Sequence, residues 1–151
     1  MEKIWFIKDI FLIAFLIVAS LEDIKTREIS MKLMIMAAIA GLILELLDGS
    51  FDIKDILGGV LIGFVLYIAA VLSKEKIGKG DGVIVMVTGI YTGFMQNLEL
   101  LWIAAVISLI VGVVITLIRK KPGSLEMPFV PFLLSSYLFM FYIEYSGRFL
   151  G

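Results

Sequence analysis

The sequence contains no cysteine and no histidine. Thiol nucleophiles, disulfides, zinc sites built on Cys or His, and Ser-His-Asp triads are therefore excluded. Any catalysis rests on Asp, Glu, Lys, Tyr, Ser or Thr, and cysteine usage gives no reading of the redox compartment. Charge is scarce as well. Charged residues make up 18% of the 151 and hydrophobic residues 61%, with a mean hydropathy of +1.08. Soluble domains run nearer half apolar and a quarter charged. So short a chain cannot bury this excess in a core, and its natural solvent is lipid. The net charge of −1 carries less information than the distribution of charge. No phosphate loop, nucleotide fingerprint or nucleic-acid patch is present. No small-residue cleavage site precedes Glu22-Asp23, so the N-terminal apolar run reads as a retained helix and not as a signal peptide.

Six apolar segments are present. They run roughly from Ile4 to Ser20, Met31 to Leu47, Ile56 to Leu72, Ile77 to Met95, Leu98 to Ile118 and Phe129 to Tyr145. A spanning helix takes about 20 residues, within about 17–25. The segments lie at or slightly below that length, and each can extend into its flanks. The expectation is an all-α polytopic protein of six transmembrane helices, forming one domain over residues 1–151. A closed barrel would need strict apolar–polar alternation, which is absent. The fourth segment is the weakest. It reaches spanning length only if counted from Ile77, which puts Asp81 about one turn inside the apolar zone. Gly78, Gly80 and Gly82 predict weakened helix there. Irregular backbone at membrane depth is tolerated where it is buried in protein or lines a wet cavity.

Orientation follows from Lys and Arg. The loops after the first, third and fifth segments carry Lys25, Arg27 and Lys32, then Lys74, Lys76 and Lys79, then Arg119, Lys120 and Lys121. These nine face four on the other side, Lys3, Lys8, Lys54 and Arg148, making the thirteen in the chain. The first side is therefore read as cytoplasmic, with both termini outside. Asp23 and Asp81 fall together on the cytoplasmic face. An acid held at a membrane edge is costly and marks a functional candidate. Two carboxylates brought close cannot both ionise cheaply; they share a proton, and one acts as base on water while the other acts as acid. Such a pair titrates as a unit. It would activate water against a peptide carbonyl with no metal and no cofactor. On spacing alone, the favoured reading of both is as ordinary loop acids among basic residues.

Three elements carry a resemblance. The first is Asp23-Ile24-Lys25-Thr26-Arg27-Glu28-Ile29. The second is Gly78-Lys79-Gly80-Asp81, followed by Gly89 in the next helix. The third is Met127-Pro128-Phe129-Val130-Pro131-Phe132. In order, spacing and expected sidedness the chain resembles the type IV prepilin peptidases, among the GxGD-type membrane aspartyl proteases. The resemblance implies that Asp23 and Asp81 are the catalytic pair. It implies a cleft shaped by Gly78, Gly80, Gly82, Pro128, Phe129, Pro131 and Phe132, with local unwinding around Gly78 to Gly82 admitting the substrate strand. It also implies cleavage of the short basic (class III) leader of a prepilin or pseudopilin at the cytoplasmic membrane face, in a water-filled cleft. Three departures stand out. Ser30 replaces the usual Pro, Met31 follows where a polar residue is common, and Gly82-Val83 replaces the frequent Val-Lys. Longer members add a Cys-containing zinc domain and methylate the new N-terminus; with no Cys here, peptidase activity without methyl transfer is expected.

Rival readings are a preflagellin-type peptidase, a small transporter using the acids as ion sites, and a scaffold that binds leaders without cutting them. Gly59 and Gly63, and Gly89 and Gly93, have the spacing that lets membrane helices approach closely; packing within the bundle is favoured over a homodimer face. Glu22, Glu28 and Glu75 read as solvated loop charges before they read as leader contacts. Asp48, Asp52 and Asp55 read as a solvated outer loop, because their spacing does not match a dedicated calcium loop. Trp5, Trp102, Tyr142 and Tyr145 fit the interface or bundle packing, and Glu45, Glu99 and Glu144 fit headgroup-facing helix ends.

Overall fold

The computed structural model describes residues 2–49, 51–73, 78–119 and 127–150. Among them the elements are all helices: α1 (Glu2–Thr26), α2 (Met31–Asp48), α3 (Ile53–Leu72), α4 (Lys79–Arg119) and α5 (Val130–Leu150). Their ends follow local chemistry. Gly49, at φ 73° and ψ 3°, supplies the left-handed residue that closes α2. Asp52 opens α3 by accepting the Lys54 N–H at 2.9 Å. Pro128 precedes α5, and Pro131 sits in its first turn, where a missing N–H costs little.

α4 is not one rod. Gly93 has φ 71° and ψ −169° inside it. Asn97 Nδ2 lies 2.9 Å from the carbonyl oxygen of Val85, twelve residues earlier. In a straight helix those residues would stand about 18 Å apart. The chain therefore reverses at Gly93, and residues 94–119 run back beside residues 79–92. Asn97 fastens the reversal: it also donates to Gly59 O at 2.9 Å and accepts the Thr88 hydroxyl at 2.7 Å. Asp55 Oδ1 accepts the Phe94 N–H at 2.9 Å, capping the returning half from α3.

α3 packs antiparallel to the first half of α4 at backbone contact. A Cβ on Gly59 would strike the Gly89 carbonyl, and one on Gly63 would strike the Met86 N. A Cβ on Gly82 would come within 2.7 Å of Tyr67 Cα. The small-residue spacing thus serves packing inside the bundle. α1 and α5 pack antiparallel, with Phe6 beside Phe141 and Tyr145. α2 is pinned to α4 by the Tyr91 hydroxyl, which donates to Ala37 O at 2.6 Å.

Among the described residues three helices are long and apolar enough to cross a membrane: Ile4–Thr26, Ile53–Leu72 and the bent Lys79–Ile118. Each of the six expected segments falls largely on helix, but not as six equal spans. α2 carries Lys32, Glu45 and Asp48 in eighteen residues. The first half of α4, residues 79–92, is about 21 Å long at the helical rise, short of the roughly 30 Å hydrocarbon layer. The irregular backbone lies at Gly93 and not across Gly78 to Gly82, since Gly80, Asp81 and Gly82 already belong to the first turn of α4. Glu45 does not face headgroups: it is buried in an ion pair with Lys8, and Asp48 stands 3.9 Å from the same ammonium. Lys74, Glu75, Lys76, Lys120 and Lys121 lie outside the described residues.

The glycine contacts rank substitutions. Gly63→Ala places its methyl against backbone, which cannot yield, whereas Gly58→Ala meets the Phe94 side chain, whose Cβ lies 3.0 Å away. Thermal unfolding in detergent is expected to show Gly63→Ala destabilised by about 1–3 kcal/mol and Gly58→Ala by clearly less.

Candidate active site

Asp23 lies in the last turns of α1 and is buried. Its Oδ2 accepts the Val130 N–H at 3.0 Å, and the Phe129 backbone lies close enough to bear on the same carboxyl electrostatically. The Arg27 charge also acts on it. The loop below is tied down. Arg27 N–H returns to Asp23 O at 3.0 Å, with Arg27 at φ 56°. Thr26 Oγ1 donates to Glu22 O at 3.0 Å. Glu22 Oε2 accepts the Ser30 N–H at 2.9 Å, just ahead of α2. Glu22, expected as a solvated charge, is therefore part of this tie, while Glu28 is exposed.

Asp81 lies in the first turn of α4, where its N–H bonds to Gly78 O at 3.1 Å. The Asp23 charge acts on its carboxyl. Among the described residues no hydrogen bond reaches that carboxyl. It forms part of the wall of a pocket of about 350 Å³, otherwise lined by Leu66, Leu98, Leu101, Trp102, Ala105 and Phe129. Those walls are apolar, in contrast to the water-filled cleft expected.

The expected site residues divide. Phe129 links the two acids: its backbone reaches Asp23 and it lines the pocket beside Asp81. A Cβ on Gly78 would come within 2.9 Å of Asp81 Oδ2, so a side chain there would press on the carboxyl. Gly80 faces Ile29 of the α1–α2 loop, with Cδ1 3.6 Å from a built Cβ, an ordinary contact. Gly82 is turned to α3 and serves packing. Pro128, Pro131 and Phe132 are half-buried at the start of α5. Sequence reasoning passed over Val130, whose contribution is a backbone N–H. It also read Trp102 as an interface or packing residue; the reversal at Gly93 brings residues 98–105 level with Asp81.

The sequence model of the type IV leader peptidase family matches residues 10–117. The chain belongs to that family. No curated protein and no solved structure matches it. Both acids lie within the matched stretch of this leader peptidase family member, and the Pro128–Phe132 element lies beyond it. With its apolar helices, the chain is a membrane protein of a peptidase family.

The two acids differ in what they hold together. Asp23→Ala leaves the Val130 N–H without its partner and is expected to lower unfolding stability in detergent by about 1 kcal/mol. Asp81→Ala removes no hydrogen bond and is expected to stay within about 0.5 kcal/mol of the parent.

Proposed function

We propose that this leader peptidase family member is a membrane aspartic endopeptidase, with Asp23 and Asp81 as its catalytic pair. The observation that supports the reading is electrostatic. Two acids far apart in sequence bear on each other, and one of them, Asp81, lines an apolar pocket. In the reaction one carboxylate takes a proton from water as the oxygen adds to the scissile carbonyl carbon. The other carboxyl gives its proton to the carbonyl oxygen. Collapse of the tetrahedral intermediate breaks the C–N bond: the amine leaves with the proton taken from water, and one hydroxyl of the diol returns its proton to the second carboxylate, which leaves the carboxylic acid product and the starting protonation of the pair. No metal or cofactor enters this sequence of steps, and methylation of the new N-terminus is no part of the proposal.

The substrate is a prepilin or pseudopilin, cut after its short basic leader at the cytoplasmic face of the cell membrane. An archaeal preflagellin would present the same chemistry. What supports this substrate class is the family membership, and the excess of Lys and Arg on the side where both acids fall is compatible with a cytoplasmic place of action. The topology proposed is six membrane passages with both termini outside.

Co-expression with a prepilin-like substrate tests the activity. The intact protein is expected to shorten the substrate by its leader. Asp23→Asn and Asp81→Asn, reaching the membrane in equal amount, are each expected to lower the rate by at least about 100-fold. Cutting that survives either change rules the pair out. No cutting by the intact protein, across several leaders, favours a scaffold that binds them.

The absence of native cysteine makes topology directly measurable. A membrane-impermeant maleimide is expected to label Phe51→Cys in intact cells, and Glu28→Cys only after permeabilisation. The reverse pattern would invert the orientation.

A further inference from the structure

The start of α5 leaves its N–H groups few places to go. The first N–H groups of any helix lack partners within it. Here Phe132 N–H bonds to Phe129 O at 3.0 Å, and Leu133 N–H to the same oxygen at 3.2 Å. Pro128 and Pro131 have no N–H to offer. Two donors remain in this turn, those of Phe129 and Val130; the Val130 N–H goes to Asp23 Oδ2 at 3.0 Å, and the Phe129 backbone bears on the same carboxyl. Val130 is fully buried and Asp23 is 6% exposed, so water does not readily substitute. The sequence Pro-Phe-Val-Pro thus presents the Val130 donor, next to a proline that cannot compete, to one carboxylate on another helix.

A carboxylate at the end of α1 would otherwise rotate about its side-chain bonds. Its Oδ2 is engaged from outside its own helix by a donor whose position is fixed by α5. The positive end of the α5 dipole faces the same group. Asp81 has no such restraint among the described residues.

We propose that the first turn of α5 is the positioning element for Asp23, acting through the backbone N–H of Val130. The proposal rests on the aspartate-pair reading above, because only there does the orientation of Asp23 set a rate. Val130 is a positioning residue in this respect, and the proline that follows it cannot compete as a donor.

The test deletes one N–H in two ways. Val130→Pro removes it at the first helical position, where proline is accommodated. Replacing Val130 by its α-hydroxy acid, through nonsense suppression, removes it and keeps the side chain. Val130→Ala keeps the N–H and reports the packing loss alone. Cleavage of a prepilin-like substrate is then measured as kcat and KM in detergent or vesicles. Both N–H deletions are expected to lower kcat about 10- to 100-fold below Val130→Ala, as misplacement of a reacting group does, with KM little changed. Equal kcat in all three variants overturns the proposal. A rise in KM with kcat preserved overturns it too, since that would make the turn a substrate contact.

A second readout does not need activity. The infrared carboxylate band lost in Asp23→Asn is followed in the ester variant. Its displacement supports the positioning bond, even for a protein that cuts no leader, and an unmoved band overturns it. Failure of the peptidase reading and failure of this proposal are thereby told apart. Should Val130→Pro not accumulate, the ester variant carries both comparisons.

Discussion

The reversal at Gly93 is the constraint on which the rest of the bundle depends. A turn between two apolar helices exposes backbone groups that lipid cannot satisfy. Asp55 takes the Phe94 N–H, and Asn97 takes the carbonyls of Gly59 and Val85, so the turn is completed by side chains. A left-handed φ of 71° at this point suits glycine, and a Cβ would collide with the Asp55 carboxylate that caps the turn. With the turn made, Leu98, Leu101, Trp102 and Ala105 stand across from Asp81 and Leu66, and the pocket exists. Without it, α4 would be a rod about 60 Å long at the helical rise, and Asp81 would face none of them.

Much of this was legible in the sequence. Hydropathy marked the helical stretches, and charge placed Asp23 and Asp81 on one face. The proline-rich element placed the start of the last helix. The location of the irregular backbone was not legible. Glycines at 78, 80, 82 and 93 look alike in a one-dimensional reading. Their difference is tertiary: Gly82 lies on the Tyr67 backbone, while Gly93 answers to Asp55 on another helix. Length was a poor guide for the same reason, since the short first half of α4 is stabilised by α3 and its own returning half. The pairing of Lys8 with Glu45 joins two helices at positions that, read singly, look like ordinary helix ends. Val130 was invisible because its contribution is an N–H, which every residue but proline has.

Charge inside the bundle follows one pattern with one exception. Lys8 pairs with Glu45, Asp9 accepts the Tyr137 hydroxyl at 2.7 Å, and Asp55 caps a helix. Asp23 receives the Val130 N–H. Each buried polar group has been given a partner, as an apolar solvent requires. Asp81 alone of these acids faces an apolar pocket with no donor among the described residues. Asp81 is only partly buried, and its carboxyl stays available to an incoming ligand where the other acids are committed to the fold.

The two acids also belong to different packed units. Asp23 is held by α1 and α5, and Asp81 by α3 and the α4 hairpin. Within each unit the fit is tight: aromatic rings and the Asp9–Tyr137 hydrogen bond join α1 to α5, and glycine backbone contacts join α3 to α4. Between the units the contacts are of another kind. Leu12, Leu16, Ile84, Leu100, Val130 and Leu133 form a common core of side chains, with no glycine seam across it among the described residues. Side-chain packing is more adjustable than backbone contact, because rotamers shift where a carbonyl cannot. The separation of the two carboxyls is therefore governed less by either helix pair than by how the pairs lie on each other. Phe129 stands where this matters most, its backbone bearing on one acid and the residue lining the pocket beside the other.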